Sequence, residues 1–198
     1  MAKFQTLVDV YQSSIKTFPD LPLFGTKRGG HWEWMTYLEF GKMTDGLRAG
    51  LAGLGFTKGD RIVIISNNRP EWAIAAYACF GLGIAFVPIY EAQLPKDWEF
   101  IINDCQAKGV IVATDAICEK TRAFLDSVPS LEFIISLDAA TKADGSTTNN
   151  SRLMRNYFNK RNRGRNETPE ICGFTVVELI VTIAVAAVLM TLSFDLRH

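Results

Sequence analysis

The residues best placed to do chemistry in this 198-residue chain lie near its C-terminal end. Glu178 is the single charged side chain in the run from Phe174 to Phe194, and Gly173 stands immediately before that run. A carboxylate inside an apolar segment costs about a few kcal/mol, or less if it reaches a membrane interface. Elsewhere the pattern is sparse. His31 and His198 are the only histidines, too few for a histidine metal site and a poor basis for a Ser-His-Asp triad. Cys79, Cys105, Cys118 and Cys172 show no metal-type spacing and are expected as reduced thiols, three of them buried as small hydrophobes. Gly81-x-Gly83 lacks the third glycine of a dinucleotide loop and suits close packing of a helix on a strand.

Lys+Arg and Asp+Glu are balanced at 21 each, so no overall field favours a nucleic-acid partner, and none is expected. The charge is unevenly placed all the same. Arg152, Arg155, Lys160, Arg161, Arg163 and Arg165 precede the apolar run. A basic stretch there is read as an orientation signal that keeps everything before it on the cytoplasmic side. At about 1.5 Å per residue, the 174–194 run would cover roughly 30 Å, the thickness of a bilayer core. Its apolar residues surround the whole helix rather than one stripe, so a single membrane-spanning helix is expected. The expected location is the inner (cytoplasmic) membrane. The N-terminal residues carry no signal-peptide pattern and lead into an amphipathic segment.

The preceding elements must hold whatever the chain positions. Phe4, Leu7, Val8, Tyr11 and Ile15 recur at helical spacing over 4–18. Leu21–Thr26 and His31–Met35 read as strands joined by a turn at Lys27-Arg28-Gly29-Gly30. Thr36-Tyr37-Leu38-Glu39 is a capping-box pattern opening a helix through Leu54, with Gly55 at its end. Strands are then expected at Arg61–Ile65, Ile84–Ile89, Val110–Ala113 and Phe133–Leu137. Helices are expected at Pro70–Leu82, Lys96–Ala107 and Asp115–Ser127. This alternation predicts an α/β fold, a parallel sheet with flanking helices. Trp72 and Tyr90 are read as core residues, His31 as a surface hairpin residue, and Asn68–Trp72 as a turn fixing helix entry with Pro70 first in the helix. Thr141–Ser151, rich in Thr, Asn, Gly and Ser, marks a boundary.

Four blocks carry a family resemblance. Trp34–Phe40, Gly59–Trp72, Ala78–Glu91 and Phe100–Cys105 are similar, in order and spacing, to the N-terminal part of long-chain fatty acid–CoA ligases, which are AMP-binding, adenylate-forming enzymes. The resemblance implies fatty-acid activation by ATP through an acyl-adenylate, then transfer to coenzyme A, with ATP, Mg and CoA as the family's ligands. Such chemistry needs a phosphate-cradling loop, a magnesium-binding glutamate and a charge-stabilising lysine. Gly145-Ser146-Thr147-Thr148-Asn149-Asn150 has a related composition but no second glycine or lysine. Residues 1–140 are therefore expected to be an incomplete domain without catalytic, cofactor-binding or metal residues of its own. Such a truncated sheet is expected to leave apolar edges uncovered and to fold marginally.

A second resemblance lies downstream. Met154–Gly173 and the apolar segment resemble the basic leader and helix of a type IV prepilin. That resemblance implies cleavage after Gly173, an N-methylated Phe174, and Glu178 pairing with the terminal amine of a neighbouring subunit. Its implied partners are a prepilin peptidase, pilin-like subunits and the membrane itself through 174–194. The expected layout is a ligase-like domain at 1–140, a linker at 141–153, a leader at 154–173, a membrane helix at 174–194 and a tail at 195–198. The expected function is that of an inactive ligase fragment. The alternatives are a pilin or secretion-pseudopilin precursor and an accidental fusion of two gene starts.

Overall fold

A computed structural model describes residues 4–137. The chain begins with α1 (Leu7–Thr17), a hairpin of β1 (Pro22–Arg28) and β2 (His31–Thr36), and α2 (Tyr37–Gly53). It continues through β3 (Arg61–Ile65), α3 (Pro70–Leu82), β4 (Ala85–Ile89), α4 (Pro95–Asp104) and β5 (Gly109–Val112). The short helices α5 (Asp115–Thr121) and α6 (Phe124–Ser127) then lead to β6 (Phe133–Ser136). Strands β1 and β2 pair antiparallel. The other four form one parallel sheet in the order β4-β3-β5-β6.

Alternate side chains along these strands enter two separate cores, because successive residues of a strand point to opposite faces. Ile62, Ile64, Ile111, Phe133 and Ile135 pack on one face with Tyr11, Leu47, Leu51, Ile74 and Cys79 of α1, α2 and α3. Val63, Ile65, Val110, Val112 and Ile134 pack on the other with Trp98, Ile102, Ile117 and Phe124 of α4, α5 and α6. The predicted parallel α/β layer is therefore present, with helices on both faces. Every residue of β6 is buried, and the exposed large apolar side chains lie on α1, on the hairpin and its base, and in the β4–α4 region. Strand β6 stands at the edge of the sheet and pairs, among the described residues, with β5.

Local signals set most boundaries. The Thr36 hydroxyl accepts from the Glu39 N–H at 3.2 Å, while the Glu39 carboxylate accepts from the Thr36 N–H at 2.8 Å. A second reciprocal cap at Thr6 and Asp9 starts α1 at Leu7 rather than Phe4. Gly29 and Gly30, at φ 55° and 87°, make the hairpin turn alone. A two-residue turn with both φ positive matches the twist of the strands, so Lys27 and Arg28 stay in β1. The expected 115–127 helix is two helices. The Thr121 hydroxyl donates back to the Ile117 and Cys118 carbonyls at 3.0 Å each, a pattern that bends helices at such a point. Helix α4 stops at Asp104 because Gln106 takes φ 51° and turns the chain into β5.

Cys79 and Cys118 are buried and Cys105 is half-buried. Cys79 and Cys105 are free, as expected of reduced thiols. Among the described residues, no helix is long and apolar enough to cross a membrane. The linker, leader, membrane helix and tail read from the sequence lie outside the described residues.

Gly109 opens β5 where a Cβ would sit 2.7 Å from Phe56 Cζ, and Phe56 is itself packed on Phe133 with ring centroids 5.3 Å apart. Gly109→Ala is expected to destabilise the domain by about 1–3 kcal/mol through overpacking. Urea unfolding followed by tryptophan emission measures it, and an unchanged midpoint would show that Phe56 has room to move.

Candidate functional site

In open α/β sheets, ligands bind outside the carboxyl ends of the strands, where neighbouring connections leave in opposite directions. Here the connection after β3 runs to β4 and the connection after β5 runs to β6, on the far side. The crevice between the ends of β3 and β5 is the candidate site.

Its rim is built from the residues that follow each strand. After β3, the Ser66 hydroxyl donates to the Asn67 carbonyl at 2.9 Å, and the Asn67 N–H donates to the Glu91 carboxylate beyond β4 at 2.8 Å. Arg69 then crosses the switch point. Its Nε donates to the Glu71 carboxylate at 2.8 Å and its Nη1 to the Ala113 carbonyl beyond β5 at 3.0 Å. Beyond β5, the Asp115 carboxylate accepts from the Ser136 hydroxyl at 2.8 Å. The Tyr90 carbonyl accepts from the Trp98 indole at 3.0 Å. The ends of all four strands are thus fixed to one another through side chains.

The electrostatics centre on Arg69 and Glu71, each 18% exposed. Burial pushes the Glu71 carboxyl up, but the Arg69 guanidinium bonded to it outweighs this and holds it below the usual glutamate range. The Arg28 charge at the hairpin tip acts in the same direction. On the opposite, amino edge, Lys108 donates to Asp60 at 3.2 Å and to the Gly55 carbonyl at 2.7 Å. Cys79 offers no nucleophile: burial pushes its thiol up to about 12. Among the described residues, no cluster of three His, Cys, Asp or Glu side chains could hold a metal.

The sequence-derived positions fare differently. Pro70 is the first residue of α3, as expected of the 68–72 turn. Trp72 packs edge-on to Phe86, centroids 5.2 Å apart, in agreement with a core role. Tyr90 does not. It is 77% exposed, because its ring stands on the rim while its backbone carbonyl serves Trp98. Gly81 lies against the Arg48 side chain of α2, so its packing is helix to helix rather than helix to strand. Gly83 ends α3 at φ 70°. His31 is exposed at the start of β2. Gly173, Phe174 and Glu178 lie outside the described residues. The Arg69 clamp was missed: Arg-Pro-Glu hinted at a helix entry, but Ala113 is 44 residues away.

The sequence profile of the family described as AMP-binding enzyme matches residues 11–171. The chain belongs to the AMP-binding enzyme family. That match runs past the boundary read near residue 140 and ends before Gly173. Among curated relatives of this AMP-binding enzyme chain, the peroxisomal long chain acyl-CoA synthetase 6 of Arabidopsis thaliana is 28% identical over 135 residues, covering 66% of this chain and 19% of that protein. Long-chain-fatty-acid–CoA ligase FadD15 of Mycobacterium tuberculosis is 29% identical over 119 residues, covering 60% and 20%. The AMP-binding chain thus spans about a fifth of the length of these relatives. The fold matches the anthranilate CoA ligase AuaEII in complex with anthranoyl-AMP, with TM-score 0.62, 20% identity, and coverage of 69% of this chain and 26% of that one. It also matches a Mycobacterium tuberculosis fatty acyl CoA synthetase, with TM-score 0.55, 21% identity, and coverage of 66% and 26%.

Replacing Arg69 by methionine leaves Glu71 and the Ala113 carbonyl without this donor. The expected loss is about 2–3 kcal/mol at neutral pH. A carboxylate with a depressed pKa stabilises the fold above its unfolded value and loses that contribution as pH falls through the folded one. The gap between R69M and the wild type is therefore expected to narrow below the usual glutamate range. Parallel denaturant titrations at neutral and acid pH test this; a pH-independent gap would mean Glu71 is not the linked group.

Proposed function

We propose that the chain is the N-terminal part of an ATP-dependent long-chain fatty acid–CoA ligase. The observation that carries the proposal is the run of long-chain acyl-CoA ligases that align with about two thirds of its length. Its role in such an enzyme is to supply a rigid sheet whose carboxyl edge frames the adenylation chamber. The described residues do not themselves fit ATP and Mg²⁺. The rim carboxylates of Glu71, Glu91 and Asp115 already accept hydrogen bonds from Arg69, Asn67 and Ser136. Among the described residues, neither a metal-holding cluster nor a phosphate-cradling glycine loop stands beside them. No chemical step is assigned to these residues.

The test is hydroxylamine trapping of acyl-adenylate from a long-chain fatty acid, ATP and Mg²⁺. The 198-residue chain is expected to give no hydroxamate by itself, and to give it when the remainder of a long-chain acyl-CoA ligase is supplied as a second polypeptide. Turnover by the chain alone would overturn the assignment of a framing role. Failure of the pair, with both pieces folded and associated, would count against the ligase origin.

A second reading rests on Gly173-Phe174-Thr175-Val176-Val177-Glu178 and the apolar run behind it. In it the segment is a prepilin-type signal, the chain sits once in the cytoplasmic membrane with residues 1–173 inside, and a prepilin peptidase cleaves after Gly173. Co-expression with such a peptidase, followed by intact-mass measurement, is expected to show a methylated product beginning at Phe174. Gly173→Ala is expected to abolish it. An uncleaved wild-type chain would sink this reading and leave the first untouched.

A further inference from the structure

One surface of the described fold has no role in the switch-point rim. Strand β2 turns Trp32 and Trp34 to the side away from the core, and both remain 59% exposed. Their rings stack, centroids 5.9 Å apart and planes 27° from parallel. The register places Gly25 opposite Trp34 and Lys27 opposite Trp32 on the same face. Gly25 matters here: a Cβ would sit 2.8 Å from the Trp34 ring, so glycine lets that ring lie against β1. The face is therefore a fixed aromatic shelf with one charge, Lys27.

The other face of the hairpin carries Phe24 and Met35 into the core and ends in the Arg28–Glu33 pair at 3.6 Å. Glu33 thus points away from the shelf and has its own cation. At the base of the hairpin, Phe18 is 46% exposed, Leu21 53% and Leu38 38%. Two bonds hold these residues together there, from the Tyr37 N–H to the Leu21 carbonyl at 3.1 Å and from the Leu38 N–H to the Pro19 carbonyl at 3.0 Å. These three apolar side chains are exposed where α1, the hairpin and α2 meet.

We infer that the β1–β2 hairpin is a membrane-docking element that seats the Trp32–Trp34 shelf in the interface of an anionic phospholipid surface. Stacked tryptophans combine a broad apolar body with an indole N–H, a combination that favours the headgroup level of a bilayer. The lone Lys27 supplies the charge complementary to anionic lipid and can reach outward on its flexible stem. A buried protein interface would call for the opposite, a shelf without an unpaired cation beside it. The inference rests on the hairpin itself and not on the ligase reading.

The four tryptophans, Trp32, Trp34, Trp72 and Trp98, allow a direct test. Trp98 is 2% exposed and Trp72 is half-buried against Phe86, so the shelf carries the most exposed indoles, and W32F/W34F reports the quenching that the other two contribute. The full chain is reconstituted into phosphatidylcholine–phosphatidylglycerol vesicles whose acyl chains carry bromine, a short-range quencher of indole emission. The expected result is strong quenching of the wild type. W32F/W34F is expected to lose it with an unchanged circular dichroism spectrum. Lys27→Glu, which keeps both indoles, is expected to lose quenching as well, and pure phosphatidylcholine to support less of it. Anchoring through the 174–194 segment alone would leave the chain on the vesicles but its tryptophans unquenched, which overturns the inference. So would equal quenching in W32F/W34F, no effect of Lys27→Glu, or hairpin-to-hairpin cross-linking of two copies without quenching.

Discussion

Burial of the parallel sheet on both faces is the constraint on which the rest depends. Ile62 and Ile64 must be covered by one helical layer while Val63 and Ile65 are covered by another, all four fully buried. Roughly 1.5–3 kcal/mol follows from burying each such aliphatic side chain, so neither layer is dispensable. The two layers in turn force the crossovers onto opposite faces. Helix α3 joins β3 to β4 on one side, and α4 carries the chain back across β3 to β5 on the other. That reversal creates the crevice at the carboxyl ends of β3 and β5.

The crevice explains why so many polar side chains converge there. Strand ends in a buried sheet expose carbonyls and N–H groups that need partners. Arg69 serves the Ala113 carbonyl, Glu91 serves the Asn67 N–H, and Ser136 ties down Asp115. These bonds join residues 21 to 44 positions apart and tie the segments after β3, β4 and β5 to one another and to the end of β6. The chain belongs to the AMP-binding enzyme family and covers about a fifth of its long-chain acyl-CoA synthetase relatives.

Much of the fold was legible because its signals are local. Thr36 and Glu39 are three residues apart and cap each other regardless of what surrounds them. Gly29 and Gly30 supply the positive φ values of a hairpin turn from their own lack of a side chain. Continuous runs such as Ile62–Ile65 announce two-sided burial. Two boundaries differ from the periodicity because a local side-chain bond intervenes: Asp9 and Thr6 cap each other and set the start of α1, and the Thr121 hydroxyl bonds back where the 115–127 stretch divides in two.

The candidate site was much less legible. Trp72 and Tyr90 are both large aromatics flanking strands, yet one is packed on Phe86 and the other stands on the rim. Composition and spacing give no means of separating them. By itself the sequence determined the elements, their caps and turns, the layered α/β class and the resemblance to acyl-CoA ligases, because each depends on residues within a few positions or on short contiguous blocks. Tertiary structure alone decided that β5 lies beside β3, that Arg69 closes the space between them, and that Trp32 and Trp34 share an outer face with Lys27. The physical reason is that strand order and register are settled by which apolar faces bury one another, a choice made between segments far apart in the chain.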